Sequence, residues 1–297
     1  MTNPFRGALR AAVVAVLALT SLPAAKAADY TLAVEPSFPA DQIQEVYGPL
    51  VEYLNRSTGH RFTLRAAPNF NQHWRDLRTG SGADILFEEG HFFDYRSKRS
   101  GYVPLARTVE DSAFVIAVED AEIAAEGREG IVGRTVASLG SPNLGYVLVF
   151  DSFRNPLAQP EVRAISSKWS DGPDLVFSGD VVGALLPAYL AGENPALTEI
   201  WRSRTVPGRV FSASPRVPAA DRAKITEALL KLSQDPDAFV IMNELRTERF
   251  VETNSAPYDG MERLLSTSFG YAPPRAPAAA PAPASPPPAA APPAGGR

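Results

Sequence analysis

The densest set of groups able to do chemistry lies in the segment ADILFEEGHFFDYR, which carries Glu88, Glu89, His91 and Asp94. With His73, the residues Glu88, Glu89 and His91 would offer the nitrogen and oxygen donors that suit a divalent metal, and His91 and Asp94, three apart, would share a helix face. The plainer use of two acids and a histidine at a helix start is to satisfy free N–H groups and face solvent. A second polar set is Gly140-Ser141-Pro142-Asn143-Leu144-Gly145. Free backbone N–H groups at such a loop, with donors from Ser141 and Asn143, would make an anion pocket, or else cap the following helix. A third is Ser178-Gly179-Asp180, where Asp180 is expected to cap a helix from Val181 to Leu190 and could reach a ligand. No G-x-S-x-G elbow and no H-E-x-x-H occurs, and the histidines are His60, His73 and His91. With no cysteine either, nucleophilic and thiolate chemistry lose their usual carriers. Binding, without a cofactor, is the expectation; an enzyme is not.

The elements that would position these residues alternate between strands and helices. Tyr30 to Val34 predicts a strand, and Ile43, Val46, Tyr47, Leu50, Val51 and Leu54 fall on one helical face before Gly59. Phe62, Leu64 and Ala66 alternate as a second strand. A helix from Asn71 to Arg78, stopped at Gly80, leads to a third strand at Ile85 to Phe87. Strand-helix order of this kind implies a parallel sheet, whose ligand crevice lies beyond the carboxyl ends of its strands. Glu88, Glu89 and His91 fall there. The pattern restarts with strands at Phe114 to Val118 and Thr135 to Ser138, then the Ser141 loop and a helix from Gly145 to Phe153. Further expected elements are a strand at Val162 to Ile165, another at Arg209 to Ser212, and helices at Ala219 to Ser233, Pro236 to Leu245 and Tyr258 to Leu265.

Composition bounds where such a protein works. Of 297 residues, the first 27 carry no acid, and Arg6 and Arg10 precede an apolar run closed by Ala25-Lys26-Ala27. That is the pattern of a secretory leader cleaved near Ala27, too short in its apolar part to span a membrane. From Ala272 the chain is nearly all Ala and Pro, which cannot form a core and favours extended polyproline II, so residues 272–297 read as a disordered tail. The intervening body holds all 33 acids and 24 of the 29 Lys and Arg, so its charge is about −9. Sequence-independent nucleic-acid binding needs the opposite balance.

Through the segments YTLAVEPSFPAD with YGPLVEYLNRSTG, LRTGSGADILF, GYVPLART and GRTVASLGSPNLGYVLV, the body resembles the periplasmic substrate-binding proteins of phosphate, phosphite and phosphonate ABC importers, within the type 2 periplasmic binding fold. The resemblance implies an α/β protein of two lobes, each a mainly parallel sheet flanked by helices, that close on a ligand by a hinge. Lobe one would span residues 29–110 and 210–271, and lobe two 111–209. Pocket tyrosines of the family fall at Phe70 and near Phe93, a family histidine falls near Asp180, and the hydroxyl run that usually precedes Gly145-Tyr146 is replaced by Pro142-Asn143-Leu144. The implied site is therefore Phe70, Glu89, His91, Phe93, Ser141, Asn143, Tyr146 and Asp180, holding a small polar or anionic solute. An inner-membrane permease would be the partner and the protein a monomer. Alternatives are an orphan binding module for signalling and a periplasmic metal-binding protein using His73, Glu88, Glu89 and His91.

Overall fold

The computed structural model describes residues 27–80, 82–153 and 155–269. The expected leader, save Ala27, and the expected Pro/Ala-rich tail lie outside them. β1 (Asp29–Val34) alternates, burying Tyr30, Leu32 and Val34. α1 (Ile43–Thr58) covers that face with Ile43, Val46, Tyr47, Leu50, Val51 and Leu54. Gly59 ends α1 at φ 71°, where its N–H reaches Asn55 O and a Cβ would be strained. β2 (Arg61–Ala66) and β3 (Ile85–Glu88) pair in parallel with β1 on either side, and α2 (Phe70–Thr79) connects them. Asn69 caps α2 by accepting from Gln72 N–H at 2.9 Å. α3 (Gly90–Ser100) and β4 (Val103–Thr108) follow.

The chain then crosses into a second sheet. β5 (Phe114–Val118), α4 (Ala121–Glu126), β6 (Thr135–Ser138), α5 (Leu144–Ser152), β7 (Glu161–Ala164), α6 (Asp171–Phe177), β8 (Gly183–Pro187), α7 (Ala188–Gly192) and β9 (Thr198–Arg202) build it in the order β7-β6-β8-β5-β9. A return crossing supplies β10 (Val210–Ala213), α8 (Ala219–Lys231), α9 (Ala238–Leu245), β11 (Phe250–Val251) and α10 (Glu262–Phe269). β10 and β11 complete the first sheet in the order β11-β4-β10-β3-β1-β2. The result is a mixed α/β fold of two lobes. Parallel pairing is confined to β1–β3 and β6–β8, because β10, β4 and β11, like β5 and β9, run antiparallel to their neighbours.

Two crossing segments join the lobes. Ser112 and Val206 exchange both backbone hydrogen bonds, at 2.8 and 2.9 Å, and Thr108 N–H donates to Arg209 O at 2.9 Å. Between them Gly208 allows contact that no side chain could: an added Cβ would lie 2.1 Å from Glu110 O and from Thr108 Oγ1.

One expected element is corrected. Residues 181–190 are not a helix; they are β8 followed by the short α7. β8 sits between β6 and β5 with all five residues buried, and a strand buried on both faces loses the alternation that would mark it. Asp180 is therefore no helix cap. The last helix starts at Glu262, after a single 3-10 turn at Ala256–Tyr258, and β4, α6 and β9 lacked a sequence signal strong enough to place them.

Candidate functional site

The carboxyl ends of β1 and β3 bring two acids together. Glu89 N–H donates to Glu35 Oε1 at 2.6 Å, and both side chains are buried. Burial, together with the neighbouring Glu89 charge, pushes the Glu35 carboxyl well above the usual range. Burial also raises Glu89, to about 7, although Arg209 pulls the other way. Glu89 Oε2 is buried with no hydrogen-bond partner among the described residues. Arg209, at the start of the return into lobe one, donates to Leu245 O and lies over the Phe87 ring at 4.6 Å. Burial works against its charge, but Tyr47, Glu89, Tyr189 and Glu35 hold its pKa above the ordinary value.

The residues expected to form the site are placed as follows. His91 is fully buried, with Nε2 2.9 Å from Pro142 O. A carbonyl only accepts, so Nε2 carries the proton, and burial lowers the pKa to about 4. Asn143 caps α5: its Oδ1 accepts from Tyr146 N–H at 2.9 Å, while Nδ2 donates to Leu139 O and Gly140 O. Ser141, joined to Pro142 by a cis peptide bond, is partly exposed. Phe70 packs with Trp74, Phe92, Leu139 and Leu265, and Phe93 meets Tyr258 edge-on at 5.1 Å. Tyr146 lies half-buried against Phe150 at 4.5 Å.

The structure thus gathers Phe70, His91, Phe93 and Asn143 along one lobe-to-lobe seam, packed with apolar side chains. Asp180 is apart from them: it is exposed, held by Ser178 Oγ at 2.7 Å, and precedes the amino end of β8, the end of the sheet opposite the crevice. Among the described residues no group of three or more His, Cys, Asp or Glu is placed to hold a metal ion, His73, Glu88, Glu89 and His91 included. Glu88 is taken by Arg96, whose Nε lies 3.0 and 3.2 Å from its two oxygens, and by His73 at 3.4 Å. His91 faces away toward Pro142.

Open space lies on the other side of the crevice, toward the crossing segments. A cavity of about 520 Å³ is bounded by Phe38 and Thr108 from one lobe, by Phe114, Trp169 and Tyr189 from the other, and by Arg209 at the end of the return crossing. That size is ordinary for a small-molecule site, and its lining from both lobes is the arrangement in which a ligand and lobe closure support each other. None of these six carried a sequence signal. They come from distant segments, and an aromatic residue beside a strand end looks the same in sequence whether it lines a cavity or a core.

Two sheets joined by paired crossings, with a cavity between them, define a two-lobed solute-binding protein of the periplasmic type. Residues 32–258 match the family model of the phosphonate ABC transporter periplasmic substrate-binding proteins, and the chain belongs to that family, whose members bind substrate rather than transform it. Among solved structures, it is similar to PhnD1 from Prochlorococcus marinus in complex with methylphosphonate, at 12% identity and TM-score 0.67, over 82% of this chain and 98% of that one. A binding protein component of an ABC phosphonate transporter from Pseudomonas aeruginosa gives 13% identity and TM-score 0.66, over 81% and 86%. A Xanthomonas citri protein bound to ATP gives 17% identity and TM-score 0.60, over 80% and 96%. At these identities the likeness is one of fold. No curated protein matches the chain at the sequence level. No helix among the described residues is long and apolar enough to cross a membrane.

Proposed function

We propose that the protein is the solute-capturing component of an ABC importer, a monomer that takes a small polar solute into the cavity between its lobes and delivers it to an inner-membrane permease. The observation that carries this reading is the cavity of about 520 Å³ lined from both lobes. A solute that touches both lobes favours the closed form by its differential affinity. Sheet membership supports dividing the lobes at residues 110/111 and 209/210, and composition alone supports reading residues 1–27 as a leader removed near Ala27 and 272–297 as a Pro/Ala-rich tail. One structural neighbour holds methylphosphonate and another ATP, so one fold serves solutes of very different size, and the chemistry of this cavity decides which it takes.

The test is a thermal-shift panel of phosphate, methylphosphonate, dicarboxylates, amino acids and organic ammonium ions on the mature protein. A solute at a hundredfold excess over its Kd is expected to stabilise the protein by ~2.7 kcal/mol, and Trp169→Ala to abolish the shift. No shift from any member of the panel, or a shift indifferent to Trp169→Ala, would count against solute capture in this cavity.

A further inference from the structure

We infer that the solute of the inter-lobe cavity is an organic anion, held by its single charged head on Arg209 and by its apolar body on the Trp169 wall. This rests on the solute-capture reading above and goes further by naming the residue that takes the charge and the class of solute that fits it.

Arg209 is the uncommitted cation of the cavity. Of the three arginines on the wall, Arg246 pairs with Glu193 at 2.9 Å and Arg202 with Glu199, whereas Arg209 enters no ion pair among the described residues. It is partly exposed, and Tyr189, one of the groups that act on its charge, borders the same cavity. Leu245 O takes one of its five N–H groups, and the guanidinium lies over the Phe87 ring at 4.6 Å. The acids behind it compensate its charge only in part near neutral pH, because burial raises Glu89 to about 7 and Glu35 well above the usual carboxylate range. A desolvated guanidinium short of counter-charge is costly, and an anion in the cavity supplies what it lacks. Its planar fork matches the paired oxygens of a carboxylate or a phosphonate.

The rest of the wall sets the rest of the solute. Glu110, Asp111, Glu244 and Glu248 also border the cavity, so a second negative charge would meet repulsion. Phe114 and Trp169 lie 5.5 Å apart, tilted by 54°, and Phe38 and Tyr189 share the same space. Aromatic faces bury apolar surface but repel an anion, which sorts the solute into a head at Arg209 and a body against the rings. The amino end of α5 is no rival seat for the head. None of residues 141–146 borders the cavity, and Asn143 Oδ1 already accepts from Tyr146 N–H at 2.9 Å.

The experiment is calorimetric titration of the mature full chain with benzoate, phenylphosphonate, methylphosphonate and inorganic phosphate, and with benzylammonium as the same body under the opposite charge. Benzoate or phenylphosphonate is expected to bind at least about tenfold tighter than phosphate, methylphosphonate or benzylammonium. The Kd of the tighter of the two is expected to rise about a hundredfold in Arg209→Met and about tenfold in Arg209→Lys, which keeps the charge but loses the fork. In Asn143→Ala it should change less than about twofold. Far-ultraviolet circular dichroism of each variant confirms that it has folded, and Arg209→Lys decides alone if Arg209→Met does not fold. Tighter binding of benzylammonium would overturn the anionic class, and phosphate or methylphosphonate bound as tightly as phenylphosphonate would overturn the apolar body. Anion binding indifferent to the Arg209 variants, or lost in Asn143→Ala, would overturn the seat. Each of these leaves solute capture standing. No binding from any of the five would end this inference, and the wider thermal-shift panel then decides whether solute capture stands without it.

Discussion

Glu89 donates its backbone N–H to Glu35 Oε1 at 2.6 Å, which ties the end of β3 to the end of β1 and sets two carboxyl groups side by side in a dry site. Glu89 ionises near 7 in the folded protein against 4.5 for the free group, so the folded state holds the extra proton between those values and stability falls as pH rises through them. Glu35, raised by the same burial, acts with the same sign. His91 acts oppositely: it titrates near 4 when folded against 6.5 when free, so stability falls as pH drops from 6.5 toward 4. Urea unfolding at pH 4.5 and 6.5 is expected to show a flatter pH profile for Glu89→Gln than for the parent, and a steeper loss toward pH 6.5 for His91→Gln. Each change should be at most ~1.4 kcal/mol per pH unit. Three parallel profiles would contradict these assignments.

The acid just before Glu89 in the sequence, Glu88, has the opposite fate. Burial would raise its pKa, but Arg96 and His73 more than offset this and hold it below the usual range. Removing one partner strands a buried charge, so Arg96→Met is expected to cost ~3–5 kcal/mol in guanidinium unfolding. The double variant Glu88→Gln/Arg96→Met should recover much of that loss. A double variant no better than Arg96→Met alone would mean that the methionine fails to pack, and that the stranded charge was not the cause.

Asn143 separates stability from binding. Its side chain is spent on Tyr146 N–H and on two carbonyls of its own loop, so Asn143→Ala should lower stability by about 1–2 kcal/mol, as the loss of a helix cap does. Solute affinity measured by calorimetry should change less than about twofold. A large loss of affinity in a folded variant would return this loop to the binding site.

Gly208 tests the crossing. A methyl group there would stand 2.1 Å from the Glu110 carbonyl oxygen, and backbone cannot yield as a flexible side chain can. Gly208→Ala is therefore expected to cost about 1–3 kcal/mol, read as a lowered Tm. Gly192→Ala, where an added Cβ meets nothing within 4 Å, serves as the control and should leave Tm nearly unchanged.

Local pattern was enough for much of the fold and little of the site. The alternation of Tyr30, Leu32 and Val34 and the helical spacing from Ile43 to Leu54 survive because each element has one wet face. β8 has none, and its apolar run carries no period to distinguish strand from helix. Phe70 and Phe93 were expected as pocket walls and lie in the lobe seam; an aromatic side chain beside a crevice is equally suited to filling it. Trp169, Tyr189 and Arg209 become neighbours only through the two crossings between the sheets, a relation with no trace in any short segment.

α10 packs against both lobes. Met261 and Leu264 join Val147 and Leu148 of α5, while Leu265 joins Phe92 and Tyr95 of α3. The lobes also meet across the cavity, where Arg246 of lobe one pairs with Glu193 of lobe two at 2.9 Å. That ion pair is about half exposed and so is weakened by salt, whereas the apolar packing of α10 is not. The two lobes are thus held together by two contacts of different kinds, one that loosens as ionic strength rises and one that does not.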